Sequence, residues 1–318
     1  IWICDDDDLA LPHAADTLSS ILTRSPEAGV AAGSYRRFRD DPRTGERIES
    51  GPGYWPDLSE GSVLRHVLED IFLFQNATLV RRELYDRAGP FREDLARSID
   101  YDMLVRLALR APVMVTEEPL FHQRKHDGDR GPAAARHVAA ASEAVWKEAD
   151  RAVFAPFRES IPLEVYTAFF EGELASRAGR LQRACVYARR TDWEAAIEDF
   201  DAAARMAPET GLSEVERAIC RRAMAGTHGV AEALAPPMRR QLAWLGQSNS
   251  VGAEITAMLI RGVLWRGKAA AKQGRVREAA AVARFAVGLK AAERTAPELS
   301  DAPPMSERRA IPRAAYLA

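Results

Sequence analysis

Asp5, Asp6, Asp7 and Asp8 follow directly on the apolar run Ile1-Trp2-Ile3-Cys4. Leu9-Ala10-Leu11-Pro12 and a helical pattern come next. Carboxylates at the carboxyl end of a buried strand sit where α/β sheets bind ligands. Strand alternation predicts that Asp5 and Asp7 share one side, where both can face one cation. Hard oxygen donors of this kind suit Mg²⁺ or Mn²⁺, with a substrate phosphate completing the shell.

Other readings of the acidic run compete. An EF-hand fails, because Leu9 stands at the third ligand position and no Gly supplies the sharp turn. A phosphoreceiver domain also opens on an apolar strand and an acidic pair, but it needs an Asp at the end of a later apolar strand, and no convincing one follows. The bland alternative is a solvated acidic turn capping the helix after Pro12. Carboxylates packed this closely repel one another, which makes a turn alone a costly use of them.

Further along, Asp100 and Asp102 follow Ser98, which has the chemistry of an N-cap. Leu104, Leu107 and Ala108 give that segment an apolar helical face. A carboxylate in a first helical turn is favoured by the helix dipole even without chemistry. His126 and His122 lie in a polar stretch, whereas His13, His66, His137 and His228 are isolated and read as structural or solvated. Arg81-Arg82 reads as a surface pair before a phosphate clamp. The Gly51-Pro52-Gly53-Tyr54-Trp55-Pro56 loop either sets aromatics against a sugar or packs as a turn.

The elements that must position these residues fall into two compositions. Residues 1 to about 130 mix short β-like runs (Ile1–Cys4, Gly29–Ala32, Ala77–Val80, Pro112–Thr116) with helices, which predicts an α/β layer fold. The turn formers Asp127-Gly128-Asp129-Arg130-Gly131-Pro132 read as a linker. Residues 131–318 are Ala-rich and helix-periodic. There the spacing Ala196, Phe200, Ala203, Pro208 resembles the second helix of a tetratricopeptide repeat, with a weaker echo at Gly267, Gly274, Ala279 and Ala286. Matching Thr191 to Gly274 aligns the two copies, but off the repeat's own period. A plain helical bundle remains the alternative.

Composition excludes several classes. The chain has 318 residues, with Lys+Arg 44 against Asp+Glu 46, so nothing in its charge favours a nucleic-acid binder or a polybasic membrane anchor. Cys4, Cys185 and Cys220 are too few and too far apart for a disulfide scaffold or a CxxC zinc site, and they fit a reducing compartment. No apolar run approaches the ~18 residues of a membrane span. The opening inside a β-prone run, without Met, predicts a fragment lacking its N-terminal part.

The segment Trp2–Pro12 resembles the DXD strand of family 2 glycosyltransferases of GT-A fold. Later segments resemble that family in order. Gln75-Asn76-Ala77-Thr78-Leu79-Val80-Arg81-Arg82-Glu83-Leu84 is similar to its strand with an Arg-Arg-Glu-type turn, and Arg87-Ala88-Gly89-Pro90-Phe91 to its "G-G-F-D" turn. Ser98-Ile99-Asp100-Tyr101-Asp102-Met103-Leu104-Val105-Arg106-Leu107 is similar to its "E-D-Y-D-L-W-L-R-L" helix start. Phe121-His122-Gln123-Arg124-Lys125-His126-Asp127-Gly128 is similar to its closing "Y-R-x-H-x-G" segment. The resemblance covers residues 1–130 and stops before the helical half.

The resemblance implies a GT-A-like α/β domain, without its nucleotide-binding first strands, followed by an all-α domain. It implies Asp5 and Asp7 as holders of Mg²⁺ or Mn²⁺ on the diphosphate of a nucleotide-sugar, with His126 near the metal or diphosphate. Asp8 would orient that pair or the donor sugar. Asp100 would be the general base for an acceptor hydroxyl on a saccharide, lipid or protein, in an inverting transfer. Ile99 stands where the family has Glu. The expected protein is cytoplasmic, at most peripheral to a membrane, with the helical half open to a protein partner.

Overall fold

The computed structural model describes residues 1–59, 61–125 and 142–294. By its contacts the chain parts into two compact units, the first ending at Pro156 and the second beginning at Phe157. The expected linker lies outside the described residues. The helix that follows it belongs to the first unit, so the division falls after that helix and not near residue 130.

The first unit is built on a small mixed sheet. Its elements are β1 (Leu9–Ala10), α1 (Ala14–Arg24), β2 (Val30–Asp40), β3 (Arg47–Pro52), α2 (Val63–Glu69), β4 (Thr78–Val80), α3 (Arg82–Ala88), α4 (Ile99–Ala108), β5 (Val113–Arg124) and α5 (Ser142–Phe154). Strand order is β1-β5-β2-β3, with β4 also on β2. Only β2 and β5 are parallel. Because β5 follows one edge of β2 from Val30 to Phe38, β4 and β3 share its other edge, at Val30–Ala32 and Arg36–Asp40.

Three of the expected strand runs are strands; Ile1–Cys4 is not. Trp2 makes one antiparallel bridge to Leu79, on the outer edge of β4. Ile3 is half-buried and Cys4 exposed. The ladder ends because β4 is preceded by a 3₁₀ turn, Gln75–Ala77, which offers no extended backbone to pair with. The chain then crosses from the β4 edge to the β1 edge, where Leu9 and Ala10 pair with His122 and Phe121. The acidic run is that crossing. It bends, so strand alternation does not apply to it.

Helix α1 places Ala14, Leu18 and Leu22 one turn apart, and all are buried against Ala31, Tyr35, Leu120 and Phe121. Tyr35 stacks on Phe121 with centroids 5.1 Å apart. Arg81 donates to Leu22 O (2.7 Å) and Ala28 O (2.8 Å). Its charge thus meets the carbonyl end of α1, a structural task and not a phosphate clamp. Helix α5 joins this unit through Phe154, whose ring lies 5.4 Å from that of Tyr101 on α4.

In the second unit, the regular elements among the described residues are all helices. Its helices are α6 (Phe157–Ser160), α7 (Leu163–Thr167), α8 (Ala175–Arg189), α9 (Trp193–Met206), α10 (Glu214–Ala223), α11 (Val230–Leu234), α12 (Pro236–Ser248), α13 (Ser250–Lys272) and α14 (Val276–Arg294). Ala196, Phe200 and Ala203 are all buried, as their spacing requires, and α9 ends two residues before Pro208. The turns α8–α9 and α13–α14 are alike. Thr191 (φ 67°) and Gly274 (φ 70°) both take the left-handed conformation. In each turn the next residue donates five positions back, Asp192 to Tyr187 O and Arg275 to Ala270 O. Both are Schellman endings. Fully buried Arg177 on α8 donates twice to Glu216 on α10 (2.7 Å each) and to the carbonyls of Thr210 and Gly211.

Candidate active site at the acidic crossing

The crossing is held from beneath by the 3₁₀ turn before β4. Asn76 is buried, at 4% exposure. Its amide nitrogen donates to Asp5 Oδ2 (3.2 Å) and to Asp8 Oδ2 (2.6 Å). Its Oδ1 accepts from the Asp5 backbone N–H (3.1 Å), and its carbonyl accepts from Trp2 Nε1 (2.8 Å). Gln75 donates to the other Asp5 oxygen (3.1 Å). The pairing is therefore Asp5 with Asp8 around one amide, where alternation predicts Asp5 with Asp7.

The other wall is the end of β5. The Arg124 backbone N–H donates to Asp8 Oδ1 (2.7 Å), and its Nε donates to the Asp7 carbonyl (2.9 Å). The same guanidinium pairs with Asp40 and lies over the Phe38 ring, 4.7 Å from its centroid. Asp6 and Asp7 are exposed. Burial and the neighbouring charges of Asp7 and Asp5 push the Asp8 carboxyl above the usual range, against the opposing bonds from Arg124 and Asn76.

Asp100, in the first turn of α4, lies within electrostatic range of Asp5. The residue is partly open to solvent, while its carboxyl end is enclosed. Burial first, and then the charge of Asp5, push its pKa upward; the Tyr101 backbone N–H acts against them. Ser98 precedes it at φ 57° and makes no side-chain cap, so its expected N-cap role is not realised. Only its carbonyl serves, accepting from the Asp102 N–H (3.0 Å). A non-glycine residue there is strained. Asp102 is turned elsewhere: it is 1% exposed and bonded to Arg106 (2.8 and 2.7 Å), with Arg92 at 3.6 Å.

His126 lies outside the described residues. His122 sits in the β5 ladder, its ring 6.4 Å from that of Phe38. In the aromatic loop, Trp55 packs edge-on against Phe72 (5.1 Å) and Tyr54 is exposed. Gln75, Asn76 and Arg124 carry no role in the sequence reading. The signal for Asn76 was available: an uncharged amide directly before an apolar strand, in a segment otherwise spent on burial.

Among the described residues, no group of three His, Cys, Asp or Glu side chains is gathered around a metal position. A pair nonetheless suits Mg²⁺ or Mn²⁺, which are held by one or two carboxylates plus substrate phosphates. Asp5 and Asp8 are such a pair, with Asp7 within electrostatic range of Asp8. No described helix is long and apolar enough to cross a membrane. No protein-family model matches the chain, and no curated protein matches it either.

Proposed function

We propose that the first unit belongs to a GT-A-type glycosyltransferase similar to family 2, moving a sugar from a nucleotide-sugar to an acceptor hydroxyl. One observation carries the reading. The two acidic motifs that resemble the family, at Asp5–Asp8 and at Asp100, lie far apart in sequence, yet the Asp100 carboxyl feels the charge of Asp5. A donor diphosphate at the acidic crossing would then present its sugar toward α4.

In this reading Asp100 accepts the proton of the acceptor hydroxyl as its oxygen bonds to the anomeric carbon. The bond from that carbon to the diphosphate breaks, and the nucleoside diphosphate leaves with the electron pair. Attack opposite the leaving group inverts the anomeric carbon. Asp5 and Asp8, with Asp7 beside them, would hold Mg²⁺ or Mn²⁺; when bound, the cation supplies positive charge to the departing diphosphate. His126 enters on the resemblance alone. A raised Asp100 pKa suits a base that must work near neutral pH.

A second reading has its own support. Buried Ala196, Phe200 and Ala203 on α9 fit a helical-repeat unit of tetratricopeptide type, whose task is to bind a protein partner beside a GT-A remnant without catalysis. The discriminating experiment is a screen of nucleotide-sugars with Mn²⁺, following release of nucleoside diphosphate. Release that needs both an acceptor and Asp100 supports the enzyme. No donor binding and no release, with a partner captured by the helical unit, supports the second reading.

A further inference from the structure

Asn76 spends its whole side chain on the acidic crossing. Both amide hydrogens go to carboxylates, one on Asp5 and one on Asp8, and its Oδ1 takes the Asp5 backbone N–H. A buried asparagine needed only to close a turn would satisfy backbone groups. This one reaches past its own turn to two carboxylates, and one of them, on exposed Asp5, could be satisfied by solvent. Only a primary amide both donates to two carboxylates and accepts from a backbone N–H at one point. The Asn76 backbone is itself fixed, because Trp2 Nε1 donates to its carbonyl and Trp2 packs against the core.

We propose that Asn76 is the positioning residue that joins Asp5 and Asp8 into a single donor-binding pair; the donor role rests on the glycosyltransferase reading above. Like charges that would otherwise separate are held on one nitrogen. The amide partly offsets their repulsion before a cation and diphosphate arrive. Order prepared in this way lowers the cost of binding and leaves the chemistry at Asp100 unchanged.

Two variants test it. Asn76→Ala removes every bond, while Asn76→Asp keeps the shape and the acceptor and removes both donors. Amide hydrogen exchange reports the result without any ligand, and a thermal melt shows that each variant is folded. In Asn76→Ala, the N–H groups of Asp5 and Arg124 should both exchange about tenfold faster. In Asn76→Asp, the Asp5 N–H should stay protected and the Arg124 N–H should not, because Asp8 is driven from its place. With Mn²⁺ and donor, Asn76→Ala should raise the donor KM about tenfold and leave kcat within about threefold. Unchanged exchange at both amides in Asn76→Ala overturns the proposal, as does a fall in kcat at constant KM. A wild-type protein that neither binds nor uses any donor overturns the glycosyltransferase reading instead. The exchange result then still decides whether Asn76 orders the pair.

Discussion

The carboxyl of Asp100, at the start of α4, lies in the electrostatic field of Asp5 on the crossing between two sheet edges. Asp102, two residues further along α4, is buried and locked to Arg106. Two acids in one helical turn thus have different surroundings and are expected to do different work. Asp100→Asn keeps shape and hydrogen bonding but cannot take a proton. It should lower turnover by about 10²–10⁴ and leave donor affinity nearly unchanged. Asp102→Asn should barely touch turnover but should destabilise the unit by about 3 kcal/mol, since Arg106 and Arg92 lose a buried counter-charge. Steady-state kinetics and a denaturant melt of both variants check this. Near-normal turnover in Asp100→Asn, or loss of donor binding, removes it as the base.

The same pair predicts a pH dependence that needs no substrate. Burial and Asp5 raise the Asp100 pKa in the folded state, so the folded protein holds this proton more tightly than the unfolded chain. Its favourable contribution is full below the unfolded pKa and is lost as pH rises through the folded one. At neutral pH, well above the unfolded pKa, Asp100 therefore destabilises the fold. Asp100→Asn should melt higher than wild type at pH 7, and the gain should vanish in acid. A melting difference that does not change with pH contradicts the assignment.

The α/β character, the strands at Gly29–Ala32, Ala77–Val80 and Pro112–Thr116, and the helix after Pro12 were all legible in the sequence. Each rests on apolar periodicity, which burial enforces locally. Ile1–Cys4 misled because its composition is that of a strand while its only neighbour ends at the Gln75–Ala77 turn. A strand needs an edge, and composition does not show where an edge stops. The partner of Asp5 was hidden for a similar reason. Alternation pointed to Asp7, but the crossing bends, and a distant side chain, Asn76, chooses Asp8. Ser98 has N-cap chemistry, yet its backbone takes the left-handed conformation and its side chain makes no cap.

In the helical unit, Arg177 and Glu216 form a buried ion pair across α8 and α10. Burial opposes ionisation of Glu216, but the Arg177 bonds outweigh it and hold the carboxyl below its usual range. The pair's stabilisation is therefore present above the unfolded glutamate pKa and is lost as pH falls through the folded one. Glu216→Gln leaves a buried guanidinium without its counter-charge, while Gln can still close the capping box with Ser213. It should cost about 3–5 kcal/mol at pH 7. The deficit should shrink toward acid, because wild type loses the same charge there. Urea melts at pH 7 and at acid pH read this directly.

The paired turns give a prediction free of side-chain packing. Gly274 has φ +70°, and a Cβ placed there meets nothing within 4 Å. Gly274→Ala therefore tests conformation alone: an L side chain in the left-handed region costs about 1–2 kcal/mol. Gly267, earlier on α13, tests contact instead, because its added Cβ would lie 2.9 Å from Val282 Cγ1 on α14. Gly267→Ala has to push those two helices apart, and overpacking of this kind costs about 1–3 kcal/mol. A valine-to-alanine change at 282 should relieve the clash in Gly267→Ala and do nothing for Gly274→Ala. A double-mutant cycle over these positions separates the two causes. Coupling between 274 and 282 would mean that the turn is held by packing between the helices and not by the Schellman ending that Thr191 shares.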